Sequence, residues 1–278
     1  MLATGVTVIT TLGIILALLF ESIEFFKTVP ILTFLTGNKW TPLFANPSYG
    51  VLPLIRGTLM IAVGSCLIAI PLGVTIAIYL SEYASPKAKK RIKPALELLA
   101  GVPTVVYGYF GLILVTPFLK NFIPGIGTFN ALAGAIVVGI MILPLVASLS
   151  EDALSSVPRE TREAAYALGA SKAEVSYTVV LKSATSGIIA SIILAFSRAI
   201  GETMAVTLAS GSKPADGIDF TQSVQTMTAY VVQVSSGDVA RGGPEYQSLF
   251  AVGLTLFLVT LVMNSISQAV VKRVGRHQ

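Results

Sequence analysis

The sequence predicts an all-α polytopic membrane protein with six transmembrane helices, and three observations carry that expectation. Of the 278 residues, 54% are hydrophobic and only 12% are charged, against roughly 25% charged in an ordinary soluble domain. Apolar stretches of about 20 residues, the length a helix needs to cross roughly 30 Å of hydrocarbon with its backbone bonded internally, recur six times. Lys and Arg fall between those stretches, and mostly on one side.

The expected spans run approximately over residues 6–26, 57–80, 98–119, 129–149, 187–209 and 249–271 of a single permease-sized domain, 1–278. Lys87, Lys89, Lys90, Arg91 and Lys93 follow the second span, Arg159, Arg162, Lys172 and Lys182 the fourth, and Lys272, Arg273 and Arg276 the sixth. Lys27, Lys39, Arg56, Lys120, Lys213 and Arg241 are spread more thinly over the other side. Positive residues in short loops stay in the cytoplasm, so both termini are expected there. The first apolar run lacks the basic leader and small-residue cleavage pattern of a signal peptide. Pro71, Pro103, Pro117 and Pro144 lie within expected spans, where each bends or breaks a helix.

The same composition excludes other classes. The net charge of +5 is dispersed between apolar segments, without the basic face and interleaved aromatics of a nucleic-acid binder. Cys66 is the single cysteine and His277 the single histidine, so neither a disulfide nor a cluster of metal ligands is expected, and no nucleophile–base pair suggests an enzyme.

The loop between spans four and five, 157–183, has informative punctuation. Pro158 with Glu160 and Glu163 opens a short helix, and Gly169 supplies a left-handed stop. Ser171 and Glu174 form a capping box that opens a second helix toward Lys182. Ala164, Ala165 and Ala167 give the first helix a small-residue surface, suited to close approach by another protein or to an ordinary exposed helix.

Span five carries Arg198 and Glu202 near its middle. A charge at that depth costs about 2.5–3.5 kcal/mol on insertion scales, so neither is expected to face lipid. Four residues apart on one helix, they are expected to share a face and interact, as a structural ion pair or as part of a transport path. Arg suits an oxyanion, since its planar fork donates parallel hydrogen bonds and stays charged. In the outer loop 210–248, Val224, Met227, Val231 and Val234 recur at helical spacing. That pattern reads as a packed surface helix or as a contact surface for an outer partner. Trp40 and Tyr49 read as interfacial anchors.

The string "EAAYALGA" followed by "VVL" resembles the EAA loop of ABC importer permeases, with Lys182 where that family usually has Pro. "RAIGETMAVT" in span five, "AGVPTVVYGYFG" around span three and "REAAYALGA" resemble phosphate permeases, closer to the PstC type than to PstA; the shorter Arg-Ala-x-Gly-Glu core is shared with sulfate and molybdate permeases. The resemblance covers roughly 50–278. It implies the type I importer (MetI-like) bundle, with Arg198 and Glu202 in the substrate path and Glu163, Ala164, Ala165 and Gly169 coupling to an ATPase. It also implies a second permease subunit, two ATPase subunits and an extracytoplasmic phosphate-binding protein, in a bacterial inner membrane. No phosphate-binding Gly-x-x-x-x-Gly-Lys loop is present, so ATP and Mg are expected on the partner and no cofactor on this chain. The alternatives are a permease for another oxyanion and an ATP-independent anion carrier or channel.

Overall fold

Hydrocarbon offers no partner to a backbone N–H or C=O, so a chain crossing it must close its own hydrogen bonds, and helices do so locally. The computed structural model describes residues 2–275. Among them the regular structure is helical, apart from one isolated antiparallel bridge between Trp40 and Tyr49. Arg276 and His277 lie outside the described residues, as do the side chains of Lys272 and Arg273.

In chain order, α1 (Leu2–Thr28) and the short α2 (Ile31–Thr36) lead to α3 (Leu52–Ile78), which ends in a π turn at Tyr79–Tyr83. Then come α4 (Pro86–Gly101), α5 (Thr104–Phe110), a π turn at Gly111–Val115, and α6 (Thr116–Lys120). The long α7 (Ala131–Ser155) precedes α8 (Arg159–Ala167). After it α9 (Lys172–Glu174), a π turn at Val175–Val180 and α10 (Leu181–Ser183) form one segment. The chain closes with α11 (Thr185–Ile200), α12 (Met204–Ser210), α13 (Met227–Ser236) and α14 (Pro244–Gly275). Four helices are long and apolar enough to cross a membrane, and two bent pairs bring the number to six if each is one span.

The expected third span, 98–119, is not one helix. Val102 adopts an extended backbone, ψ 132°, before Pro103, because the proline ring clashes with a helical conformation at the preceding residue. The basic segment expected to be loop is instead the amphipathic α4, capped by Ser85 and turned 91° from Thr104–Lys120. Pro71 and Pro144 sit inside uninterrupted helices.

The centre of the bundle is α3 packed along α7, with α11 and α12 against them, around Ile61, Ala69, Val138, Ile142, Ala195 and Val206. Small residues let the backbones close in, as membrane helices require when lipid is as apolar as their side chains. A Cβ on Gly73 would lie 2.8 Å from Val146, and one on Gly134 would lie 1.9 Å from the Ser210 hydroxyl. The Ser150 and Ser191 hydroxyls share a 2.8 Å hydrogen bond between α7 and α11. By contrast α1 is largely exposed and has α14 as its main neighbour.

A second core gathers the first outer loop. Trp40 and Tyr49 are 3% and 9% exposed, not surface anchors. Trp40 packs edge-on to Tyr230 with ring centroids 4.8 Å apart, and Phe25 packs against Phe34 and Tyr49. The outer loop 210–226 also folds inward: Phe220 O accepts from Leu132 N–H, Gln222 O from Ala131 N–H, and Ser210 O from Val224 N–H. Its helix α13 is a packed one, with Met227, Tyr230 and Val234 buried.

Gly57 marks a close backbone approach of this loop to α3, since a Cβ there would stand 2.3 Å from Gln225 O. Gly57→Val is expected to lower stability by roughly 1–3 kcal/mol through overpacking and to speed hydrogen exchange across 220–228. Unchanged melting and exchange in detergent would show that the loop is not docked on α3.

Candidate translocation site and coupling loop

The expected fifth span is interrupted at its charged pair. α11 ends at Ile200 and α12 starts at Met204, so Arg198 lies in the last turn of one helix and Glu202 in the break. They therefore do not share a helical face, and no ion pair joins them among the described residues. The buried Glu202 carboxylate accepts instead from Ala205 N–H at 3.3 Å, satisfying a donor at the start of α12. The Glu202 carbonyl accepts from the Thr228 hydroxyl at 2.7 Å, and Thr58 of α3 accepts from Met227 N–H at 3.1 Å. Thus the outer loop reaches into the bundle and seals the break from one side.

On the other side of the break lies a cavity of about 1020 Å³, lined by Arg198, Glu202, Met141, Pro144, Lys93 and Glu151 among others. Its α7 wall runs toward the end of that helix that leads into the 157–183 loop, so the cavity occupies the loop-side half of the bundle. Lys93 of α4 and the buried Glu151 of α7 form an ion pair at 2.6 Å within this wall. Glu97 and Asp152 line it as well. Arg198 is exposed to the cavity and, among the described residues, its guanidinium has no hydrogen-bond or ion-pair partner. Lys93 is tied to a carboxylate while Arg198 is free to take an anion.

Lys93 was legible only as a topology charge and Glu151 carried no motif. Thr228 gave no signal at all, because its role depends on a loop folding back across the bundle.

The 157–183 loop folds as two helical pieces. Pro158 caps α8 instead of occupying its first turn. Gly169 has φ +83°, the left-handed conformation that ends the helix without a Cβ clash. Ser171 and Glu174 complete the capping box, Ser171 N–H donating to the Glu174 carboxylate at 2.8 Å. That hydrogen bond holds the Glu174 carboxyl below its ordinary range. The second piece continues through its π turn to Ser183 with Lys182 in place, then bends 68° into α11. α8 buries no residue; Glu163, Ala164, Ala167 and Gly169 are exposed, and Leu168 is 90% exposed. Of the three alanines singled out in α8, Ala165 leans on the core beneath, formed by Ala77, Leu154, Val175 and Ile188, as does Ala170 after the turn.

Residues 69–276 match the family model described as binding-protein-dependent transport system inner membrane component. The chain belongs to that family. This permease is 36% identical over 232 residues, covering 82% of it and 74% of the relative, to the probable ABC transporter permease protein YqgH of Bacillus subtilis. It is 33% identical to the phosphate transport system permease protein PstC of Mesorhizobium japonicum, covering 87% and 79%. With the Pasteurella multocida PstC the identity is 31%, covering 96% and 87%. Its fold is similar to a chain of the MetNI methionine ABC transporter in an inward-facing conformation, with TM-score 0.60, 16% identity and coverage of 81% and 94%. It is also similar to a chain of the bacterial alginate transporter, with TM-score 0.65, 14% identity and coverage of 98% and 94%. The permease is therefore an all-helical, multi-pass membrane protein with the MetI-like importer fold.

If Glu202 acts on α12 through its hydrogen bond, Glu202→Ala will speed exchange of the α12 amides, and Glu202→Gln will leave it near wild type because the amide oxygen still accepts. An N-terminal cap of this kind contributes about 1 kcal/mol. Equal exchange in both variants would dissociate the side chain from the helix start.

Proposed function

We propose that this chain is a permease subunit of an ATP-driven importer and forms the path for inorganic phosphate released by an extracytoplasmic binding protein. The observation that carries the reading is the Arg198 guanidinium at the break in span five, unpaired among the described residues and exposed to a cavity on the coupling-loop side. A planar cation with parallel donors matches a tetrahedral oxyanion, and a low-dielectric wall strengthens the attraction. The PstC relatives support phosphate as that oxyanion. Glu202, Glu97 and Asp152 line the same cavity and oppose retention, since a path must admit an anion without trapping it.

In this reading a second, PstA-like permease subunit completes the cavity, and both termini and the 157–183 loop face the cytoplasm. The exposed Glu163, Ala164 and Gly169, with the half-buried Ala165 between them, dock against one of two ATPase subunits, which carry ATP and Mg; this chain binds no cofactor and is not itself an enzyme. ATP-driven closure of the ATPases moves α8 and opens the path toward the binding protein. Hydrolysis returns it to the state in which the outer loop seals the break and the cavity opens inward.

The test is uptake by the complete complex in proteoliposomes. Arg198→Gln is expected to abolish phosphate uptake while the complex still assembles, and normal uptake would remove Arg198 from the path. ATPase activity stimulated by loaded binding protein should favour phosphate over sulfate and molybdate; the reverse order would reassign the substrate. Uptake by the chain without its ATPase would establish the carrier alternative.

Gly169→Val should uncouple hydrolysis from transport, because a β-branched residue at φ +83° is strained and the turn must open. Unchanged ATP consumption per phosphate transported in that variant would refute a coupling role for the turn.

A further inference from the structure

Arg162 precedes Glu163 in the exposed helix α8, yet its side chain points the other way and is only 17% exposed. Its guanidinium donates to three acceptors on two different spans. Two are the carbonyls of Leu154, at 2.8 Å, and Val157, at the end of α7. The third is the Glu82 carboxylate, at 3.0 Å, in the π turn that closes α3. Glu82 is 6% exposed and also accepts from the Ser81 hydroxyl. One residue on, the Tyr83 ring carries the Lys172 ammonium 4.9 Å from its centroid, which ties the second half of the loop to the same turn.

We propose that Arg162 is a positioning residue for energy coupling: it is the node through which displacement of α8 reaches the ends of α3 and α7 together. The inference rests on the reading of this loop as the ATPase contact. An exposed lysine on an aromatic ring is a weak tether. A guanidinium held by an almost buried carboxylate and two carbonyls is a stiff one, since its fork is rigid and each bond is charge-assisted. The carbonyls it holds lie at the C-terminal end of α7 and just beyond it, where a cation is favoured, and that of Leu154 also accepts from Val157 N–H at 3.3 Å. α3 and α7 are the packed pair at the centre of the bundle and line the cavity through Leu80 and through Met141 to Asp152. Motion imposed on Arg162 is thereby delivered to the cavity walls instead of being absorbed in the loop. A π turn, with its widened hydrogen-bond ladder, is a compliant point at which such a pull can act.

Arg162→Lys keeps the charge but replaces the fork with a single ammonium that cannot hold three divergent acceptors at once. Arg162→Ala removes the node, and Glu82→Gln removes its charged half while leaving the α7 carbonyls capped. The complete complex in proteoliposomes is assayed for phosphate transported per ATP hydrolysed and for co-purification of the ATPase. Coupling should fall in the order wild type, Glu82→Gln, Arg162→Lys, Arg162→Ala, by about tenfold or more at the last, the scale expected when a buried charge pair loses a member. ATPase co-purification should be retained throughout. Should Arg162→Ala fail to fold, Glu82→Gln and Arg162→Lys decide alone. A wild-type transport-to-hydrolysis ratio in both, or loss of ATPase binding in proportion to loss of transport, would overturn the node. Failure of the wild-type complex to respond to phosphate would instead overturn the function proposed above.

Discussion

The arrangement depends on a helix interrupted inside the bundle. An unpaired backbone group in an apolar medium costs several kcal/mol, so the break at Gly201–Thr203 exists only because other parts of the chain satisfy it. The Glu202 carboxylate takes the Ala205 N–H and the Thr228 hydroxyl bonds the Glu202 carbonyl. Farther along, Ala209 and Ser210 carbonyls accept from Asn130 and Val224 N–H. The outer loop is therefore a structural necessity of the break. What the break provides is placement: Arg198 ends a helix, where the dipole favours a cation, and stands at the edge of the cavity with no carboxylate in ion-pair contact with it among the described residues.

That same requirement explains which features were legible in the sequence. Hydropathy locates the six apolar stretches because backbone satisfaction in lipid demands length, and each stretch overlaps a helix. Capping chemistry is local, so the Ser171–Glu174 box and the left-handed Gly169 could be read directly. The continuity of span five could not, because its composition suits a helix throughout and the competing acceptor, Thr228, lies 26 residues away in a polar loop. The Arg198–Glu202 spacing looked like a helical ion pair for the same reason. Trp40 and Tyr49 misled because aromatic residues near an apolar segment serve equally as lipid anchors or as a core beneath a folded loop. The edge-on contact with Tyr230 makes them core, and no spacing rule connects those positions.

The charges in the cavity divide by partnership more than by sign. Lys93 and Glu151 neutralise one another across α4 and α7, so they fix the amphipathic helix to the bundle and leave little field for a solute. Arg198 is the cation that remains available among the described cavity residues. On the proposed reading, a sealed side and a free guanidinium on the other would let an anion bind only while the cavity is open to it.

Motion must then enter without disturbing that placement. α8 is exposed on the face that carries Glu163 and Ala164 and anchored on the face that carries Arg162. One short helix thus has an exposed face and a grip on two spans, with Glu163 and Ala164 about 100° and 200° around its axis from Arg162. A loop held only by apolar contacts from Ala165 and Val175 would slide over its core, because such contacts are non-directional. Directional bonds join one guanidinium to the ends of α3 and α7, so on the proposed coupling the two central helices would follow α8, and those helices support the break beside Arg198.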